Sequence, residues 1–160
     1  MVKLTYRRAK VEDLPLLYKL AREIWIPAFA PLFTTEQLEA LYRGMYNDEL
    51  LAGWLAKEGN ELYFIYRKDK AIGYTAIENN AGILKLDKIY IHPDLQGYGL
   101  GSEVMRFIEN RAARLKVDKI NLRVNRGNES AIRFYRNRGF NVERSVNFPG
   151  PDGYRYEDYL

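Results

Sequence analysis

The stretch that most restricts the fold lies between residues 82 and 116. A strand-like run ends in His92-Pro93, passes through the glycine-dense turn Gln96-Gly97-Tyr98-Gly99-Leu100-Gly101, and enters an amphipathic helical run with Val104, Phe107, Ile108, Ala112 and Leu115 on one side. A strand that feeds a helix through such a turn aims the helix's first N–H groups at one spot, where an anion is favoured. Glycines at 97, 99 and 101 keep side chains away from that spot and permit φ values that other residues resist. The two familiar phosphate loops do not fit. Ser102 and Val104 stand where a dinucleotide fingerprint requires its third glycine, and no Gly-Lys-Ser/Thr follows. Taken alone, the same residues also suit a plain flexible connection between strand and helix.

The rest of the chain sets the context of the turn. Residues 4–8 read as a strand and 11–26 as a helix with Leu14, Leu17, Tyr18, Ala21 and Trp25 at helical spacing. Thr34 and Gln37 form a helix-starting capping box, and Leu38, Leu41, Tyr42 and Met45 continue an apolar face; a short helix follows over 48–56. Residues 62–67 and 71–78 flank Lys68-Asp69-Lys70 as a hairpin, and 82–92 make a third consecutive strand. After the helix over 99–116 come a strand at 119–124, a helix at 130–137, and closing strands around 141–146 and 154–160. Consecutive antiparallel strands followed by a strand-helix-strand crossover predict an α/β fold of the mixed α+β kind. Its central sheet is mixed and mostly antiparallel, of about seven strands, and flanked by helices; it is not a doubly wound parallel sheet.

With 160 residues, 47% of them hydrophobic, the chain suffices for one substantial core, and no repeat or linker marks a boundary, so a single domain over 1–160 is expected. No apolar run of about 18 residues is present, and no basic-apolar leader, which predicts no membrane span and a cytoplasmic location. The absence of cysteine excludes thiolate zinc sites and a cysteine acyl-enzyme. His92 is the one histidine, so a histidine-rich metal site is excluded too, and no metal is expected. A lone histidine before Pro93 at a strand end is more often structural than catalytic. The net charge of +4 suits nucleic acid and a polyphosphorylated cofactor equally.

Gln96-x-x-Gly99-x-Gly101 at this junction resembles the acyl-CoA pyrophosphate motif of the GNAT superfamily of acetyltransferases. Asn128-x-x-Ala131-x-x-Phe134-Tyr135-x-x-x-Gly139-Phe140 is similar to the second motif of that superfamily, and the two occur in the expected order. The resemblance is firm over residues 60–145 and looser in the N-terminal helices, which in this superfamily form much of the acceptor pocket. It implies acetyl-CoA as cosubstrate, held by residues 96–101, that is Gln96, Gly97, Tyr98, Gly99, Leu100 and Gly101, together with Ser102. It further implies that the strand before the turn splays from the strand at 119–124. Pantetheine would then lie in the gap against the backbone of Ile89, Tyr90 and Ile91, with a free N–H at Ile89 or Tyr90 stabilising charge on the thioester oxygen by roughly 3 kcal/mol. Asn128 would hydrogen-bond the cofactor, and Arg133 or Arg136 would approach its phosphates.

Tyr135 falls where the superfamily places the group that protonates departing CoA; the alternative is a core tyrosine with its hydroxyl satisfied at the surface. An alkylammonium has a pKa near about 10 and must lose a proton before attack. Asp87 precedes Gln96 by nine residues, and an acid there resembles the arrangement in spermidine/spermine acetyltransferases, making it the first candidate base. With Lys88 beside it, Asp87 reads equally as part of a solvated strand edge. Glu78, Glu157 and Asp158 are other acids that would attract a cationic acceptor. Trp25, Phe29, Phe33, Tyr42 and Tyr46 line either an acceptor cleft or the core.

The expected activity is direct acetyl transfer to an amine of a small molecule or peptide, with no covalent intermediate. Two alternatives remain. One is a non-enzymatic nucleic-acid-binding domain using the basic helix face of Arg106, Arg111, Arg114 and Lys116; nucleic acid is not the expected partner, since this leaves both motifs unexplained. The other is a fold of the same kind that senses acyl-CoA without turnover. The resemblance allows a homodimer, which no segment specifies.

Overall fold

A computed structural model describes residues 3–149 and 155–159. The chain runs β1 (Leu4–Arg8), α1 (Leu14–Phe29), α2 (Thr35–Met45), α3 (Asp48–Ala56), β2 (Asn60–Arg67), β3 (Lys70–Asn80) and β4 (Ile83–Ile91). It continues with α4 (Leu100–Arg114), β5 (Lys119–Leu122), β6 (Val124–Asn125), α5 (Glu129–Asn137), β7 (Ser145–Pro149) and β8 (Arg155–Tyr159).

The helices start and stop for local reasons. At α2, Thr34 Oγ1 accepts from the Gln37 N–H at 3.2 Å and Gln37 Oε1 accepts from the Thr34 N–H at 2.9 Å, the expected capping box. The first helix was expected to end at residue 26 but continues across Pro27 to Phe29. A proline lacks the N–H that would bond four residues back; it is tolerated within one turn of the end, where the Ala30 N–H still reaches the Ile26 carbonyl.

Strands β1 to β4 pair antiparallel in sequence order, and β5 joins β4 in parallel. The class expected, mixed and mostly antiparallel, is what forms. A single sheet of about seven strands is not: among the described residues the strands divide into a five-stranded sheet and a three-stranded sheet ordered β6-β8-β7. The division falls at Arg123, where β5 stops following β4 and the chain turns to pair with β8. The strand expected at 141–146 begins only at Ser145, because residues 141–144 emerge exposed after α5. Residues 154 and 160 of the last expected strand lie outside the described residues, as do the side chains of Glu157 and Asp158.

Each face of the five-stranded sheet carries its own core. On one, α1, α2 and α3 cover Leu62, Phe64, Tyr74 and Ala76. On the other, Val104, Met105, Ile108 and Ala112 of α4 cover Ile72, Ile77, Leu84 and Leu86. Glu61, at the rim of the second face, takes two hydrogen bonds from Arg111 of α4 at 2.8 and 2.7 Å and one from Tyr63 at 2.6 Å. That half-buried pair ties the helix behind the glycine turn to β2.

One irregularity in β4 matters for the site. The register with β3 skips a residue, so Ala76 pairs with Lys88 and Ile77 with Leu86, leaving Asp87 as a bulge. Alternation shifts there: Leu84 and Leu86 face α4 before the bulge, and Ile89 and Ile91 face it afterwards. Lys88 and Tyr90 are thereby turned toward the helices α1 to α3.

Candidate functional site

The pairing of β4 with β5 ends at Leu86 and Leu122, while β4 runs on to Ile91. A gap therefore opens beside the last residues of β4, edged on the other side by the chain that diverges at Arg123. The backbone orientation in this gap follows from one bond. The His92 N–H donates to the Ile72 carbonyl at 2.8 Å, so residue 92 faces β3, and by alternation so does Tyr90. Ile89 and Ile91 are then the residues whose backbone groups face the gap. The Ile91 carbonyl does so visibly, accepting from Gln96 Nε2 at 3.2 Å. Of the two N–H groups expected as thioester donors, that of Ile89 faces the gap and that of Tyr90 faces β3.

At the mouth of the gap the chain turns into α4. Gly97 and Gly99 hold φ values of +89° and +76°, the left-handed region that glycine occupies without strain. Gly99 is the N-cap and has no side chain to accept from the helix start. The Glu103 N–H bonds the Gly99 carbonyl at 3.3 Å, so the N–H groups of Leu100, Gly101 and Ser102 precede the first helical bond and are presented to a ligand. Gly101 has a different task from its neighbours. A Cβ there would lie 3.4 Å from the Phe134 ring, so it allows α5 to pack closely on α4. Leu100 is buried in the core and anchors the turn, whereas Tyr98 is 76% exposed beside it.

Asn128 caps α5, its Oδ1 accepting from the Ala131 N–H at 3.3 Å, which leaves its amide N–H groups as the donors it can offer a cofactor. Tyr135 lies within α5, its ring edge-on to Phe134 and Phe140. Burial pushes its hydroxyl well above the usual tyrosine value, so it is a protonated donor at neutral pH. A cavity of about 620 Å³ adjoins it, lined by Ile120, Leu122, Ile132 and Phe140 among others; this cavity lies against β5 and α5, not at the glycine turn. Arg133 and Arg136 are exposed.

On the opposite face of the sheet, the bulge places Asp87 and Lys88 side by side. Lys88 Nζ donates to Asp87 Oδ2 at 2.6 Å, and its ammonium stands 5.9 Å from the centre of the Tyr46 ring. Lys85 Nζ lies 3.6 Å from Asp87 and 3.5 Å from Glu78, which accepts from Trp54 Nε1 at 3.3 Å. Burial is the largest influence on the Asp87 carboxyl and pushes its pKa up, but the ammonium groups of Lys88 and Lys85 together outweigh it and hold the pKa below the usual value. Lys88 is not on a solvated strand edge: only 9% of it is exposed. The sequence signal for this was the broken alternation after Leu84 and Leu86, which puts Lys88 where a core residue is due. Among the aromatics, Trp25, Tyr42 and Tyr46 are core residues, while Phe29 and Phe33 are partly exposed and Phe29 meets Tyr90 edge-on at 6.1 Å.

Of the basic helix face, Arg106 pairs with Glu103 and Arg111 with Glu61. His92 Nδ1 accepts from the Asp94 N–H at 3.4 Å within the turn. Among the described residues no group of three or more histidine, cysteine or acidic side chains is placed to hold a metal ion, and no helix is long and apolar enough to cross a membrane.

Residues 17–140 match the acetyltransferase (GNAT) family. The chain is 25% identical over 141 residues to spermidine N(1)-acetyltransferase of Thermoplasma acidophilum, covering 86% of this chain and 88% of that one. Its fold is similar to that of the PaiA N-acetyltransferase from Thermoplasma acidophilum in complex with coenzyme A, with a TM-score of 0.81 and 22% identity over 98% of both chains. It is also similar to the ribosomal-protein-S18-alanine N-acetyltransferase from Escherichia coli, with a TM-score of 0.73 and 19% identity over 98% of this chain and 90% of that one.

Proposed function

Because the chain belongs to the acetyltransferase (GNAT) family, we propose that it moves acetyl directly from acetyl-CoA to the amine of a small molecule or peptide. The observation that carries this is the start of α4: three N–H groups, a left-handed glycine cap with no competing side chain, and the opening between β4 and β5 directly before it. Gln96 braces the turn against Ile91, and the N–H groups of Leu100, Gly101 and Ser102 hold the pyrophosphate. Bound there, acetyl-CoA supplies the activated acetyl group. The Ile89 N–H, fixed in a strand and facing the gap, donates to the thioester oxygen as negative charge develops on it.

Tyr135 donates a hydrogen bond to the thioester sulfur. A phenol with a raised pKa does not readily yield its proton to a thiolate whose own value is about 8.5, so it stabilises the leaving group by donation more than by full transfer. Asp87 takes the ammonium proton through water, and its depressed pKa makes it a weak base. The names of the relatives, one acting on spermidine and one on an alanine of a ribosomal protein, support an amine acceptor. The nucleic-acid alternative is disfavoured because two of its four expected cations are already engaged within the fold.

The test is acetyl-CoA-dependent thiol release against polyamines, amino acids, aminoglycosides and peptide N-termini. Release that requires one class of amine is expected. Binding of acetyl-CoA with no release across the panel would instead identify a sensor.

A further inference from the structure

Resting on the acetyl-transfer reading above, we infer that the acceptor is an amine with a single cationic centre on an apolar or aromatic body, and that Lys88 excludes polycations. Acetyl-CoA held by α4 approaches the gap from the α4 face of the sheet, which leaves the face under α1 to α3 for the amine. The β4 residues on that face at the gap are Lys88 and Tyr90. A polyamine would need unengaged carboxylates there for its second and third ammonium groups.

Among the described residues, the carboxylates beside Lys88 are already matched. Asp87 sits 2.6 Å from Lys88 and 3.6 Å from Lys85, and Glu78 sits 3.5 Å from Lys85, so two acids face two ammonium groups. Glu23, the acid at the α1 rim, stands 4.0 Å from His92 Nε2. Lys88, buried at 9% exposure with its ammonium 5.9 Å from the centre of the Tyr46 ring, holds Asp87 in a close ion pair and so withholds that carboxylate from a further cation. An ammonium group brought where no counter-charge is free is disfavoured. Beside Lys88, Tyr90 packs with Phe29 and Tyr74 at 6.1 and 5.4 Å, a surface suited to an apolar body. The register skip at Asp87 creates this arrangement, since without it Lys88 would point to the other face.

Initial rates of thiol release are measured with 2-phenylethylamine and with spermidine on the full chain, its K88M variant and its K88R variant. The unaltered chain is expected to favour 2-phenylethylamine in kcat/KM by at least about tenfold. K88M should raise spermidine kcat/KM by about tenfold while keeping the thermal shift from acetyl-CoA, and K88R should retain the preference. Equal or better use of spermidine by the unaltered chain overturns the inference and leaves acetyl transfer standing. Release with neither amine overturns the inference, and acetyl transfer then falls only if the amino acids, aminoglycosides and peptide N-termini also give no release. If K88M does not fold, the preference of the unaltered chain and of K88R still decides.

Discussion

Tyr135 is the residue to which the proposed mechanism assigns the leaving-group chemistry. Burial raises the pKa of its hydroxyl, and its ring is fixed edge-on between Phe134 and Phe140. Tyr135→Phe is expected to lower kcat by about tenfold while the Kd for acetyl-CoA changes by less than about threefold, the two read by steady-state kinetics and titration. Unchanged turnover would remove Tyr135 from the mechanism. Asp87 gives a pH prediction of definite sign. Its folded-state pKa is depressed, so it remains ionised at and above about pH 5 and contributes no limb there. Because Asp87 is ionised across this range and accepts the proton of the bound ammonium, kcat/KM should stay flat across neutrality and change only as the amine itself titrates; a profile that instead rises with deprotonation of the free amine would remove Asp87 as the base.

At the scale of elements, the placement of α4 governs the cofactor site, and Glu61 holds α4. Burial is the largest influence on Glu61 and raises its pKa, but the bonds from Arg111 and Tyr63 outweigh it, so the folded value lies below the unfolded one. Stability from this group is therefore present above the unfolded pKa and is lost as pH falls through the folded value. Glu61→Gln should cost about 2 kcal/mol at neutral pH, after allowance for the partial exposure of Arg111, and should flatten the acid limb of stability, as read from denaturant midpoints. Gly73 is the corresponding point in the sheet. A Cβ there would meet the Tyr90 carbonyl oxygen at 2.1 Å, so Gly73→Ala must push β4 from β3 and disturb the gap. A fall in melting temperature together with weaker acetyl-CoA binding is the expected result.

The parts legible in the sequence are those set by short-range rules. The Thr34-Gln37 cap, the hairpin around Lys68, and the strand-turn-helix at residues 92–101 depend on neighbours a few positions apart. The bulge at Asp87 and the split of the sheet at Arg123 depend on which strand lies opposite, which no local spacing encodes. Lys88 leaves a local trace, standing where the alternation of Leu84 and Leu86 calls for a core residue, but that trace does not say that the strand bulges at Asp87. The Glu61–Arg111 pair spans fifty residues of sequence and was equally invisible.

For the molecule as a whole, the two cores divide the labour. In the proposed reading, the α4 face presents the cofactor turn and the face under α1 to α3 presents the aromatic and charged row to the acceptor. Donor and acceptor would then meet at the gap beside β4, with no residue needed to carry the acetyl group between them. The most direct measurement is a mass balance on the full chain with acetyl-CoA and an accepted amine. Acetylated amine and free CoA should appear in equal amounts, and the intact mass of the protein should stay unchanged throughout. A protein that gains an acetyl group before the amine does, or that binds acetyl-CoA and yields no acetylated amine, would contradict direct transfer.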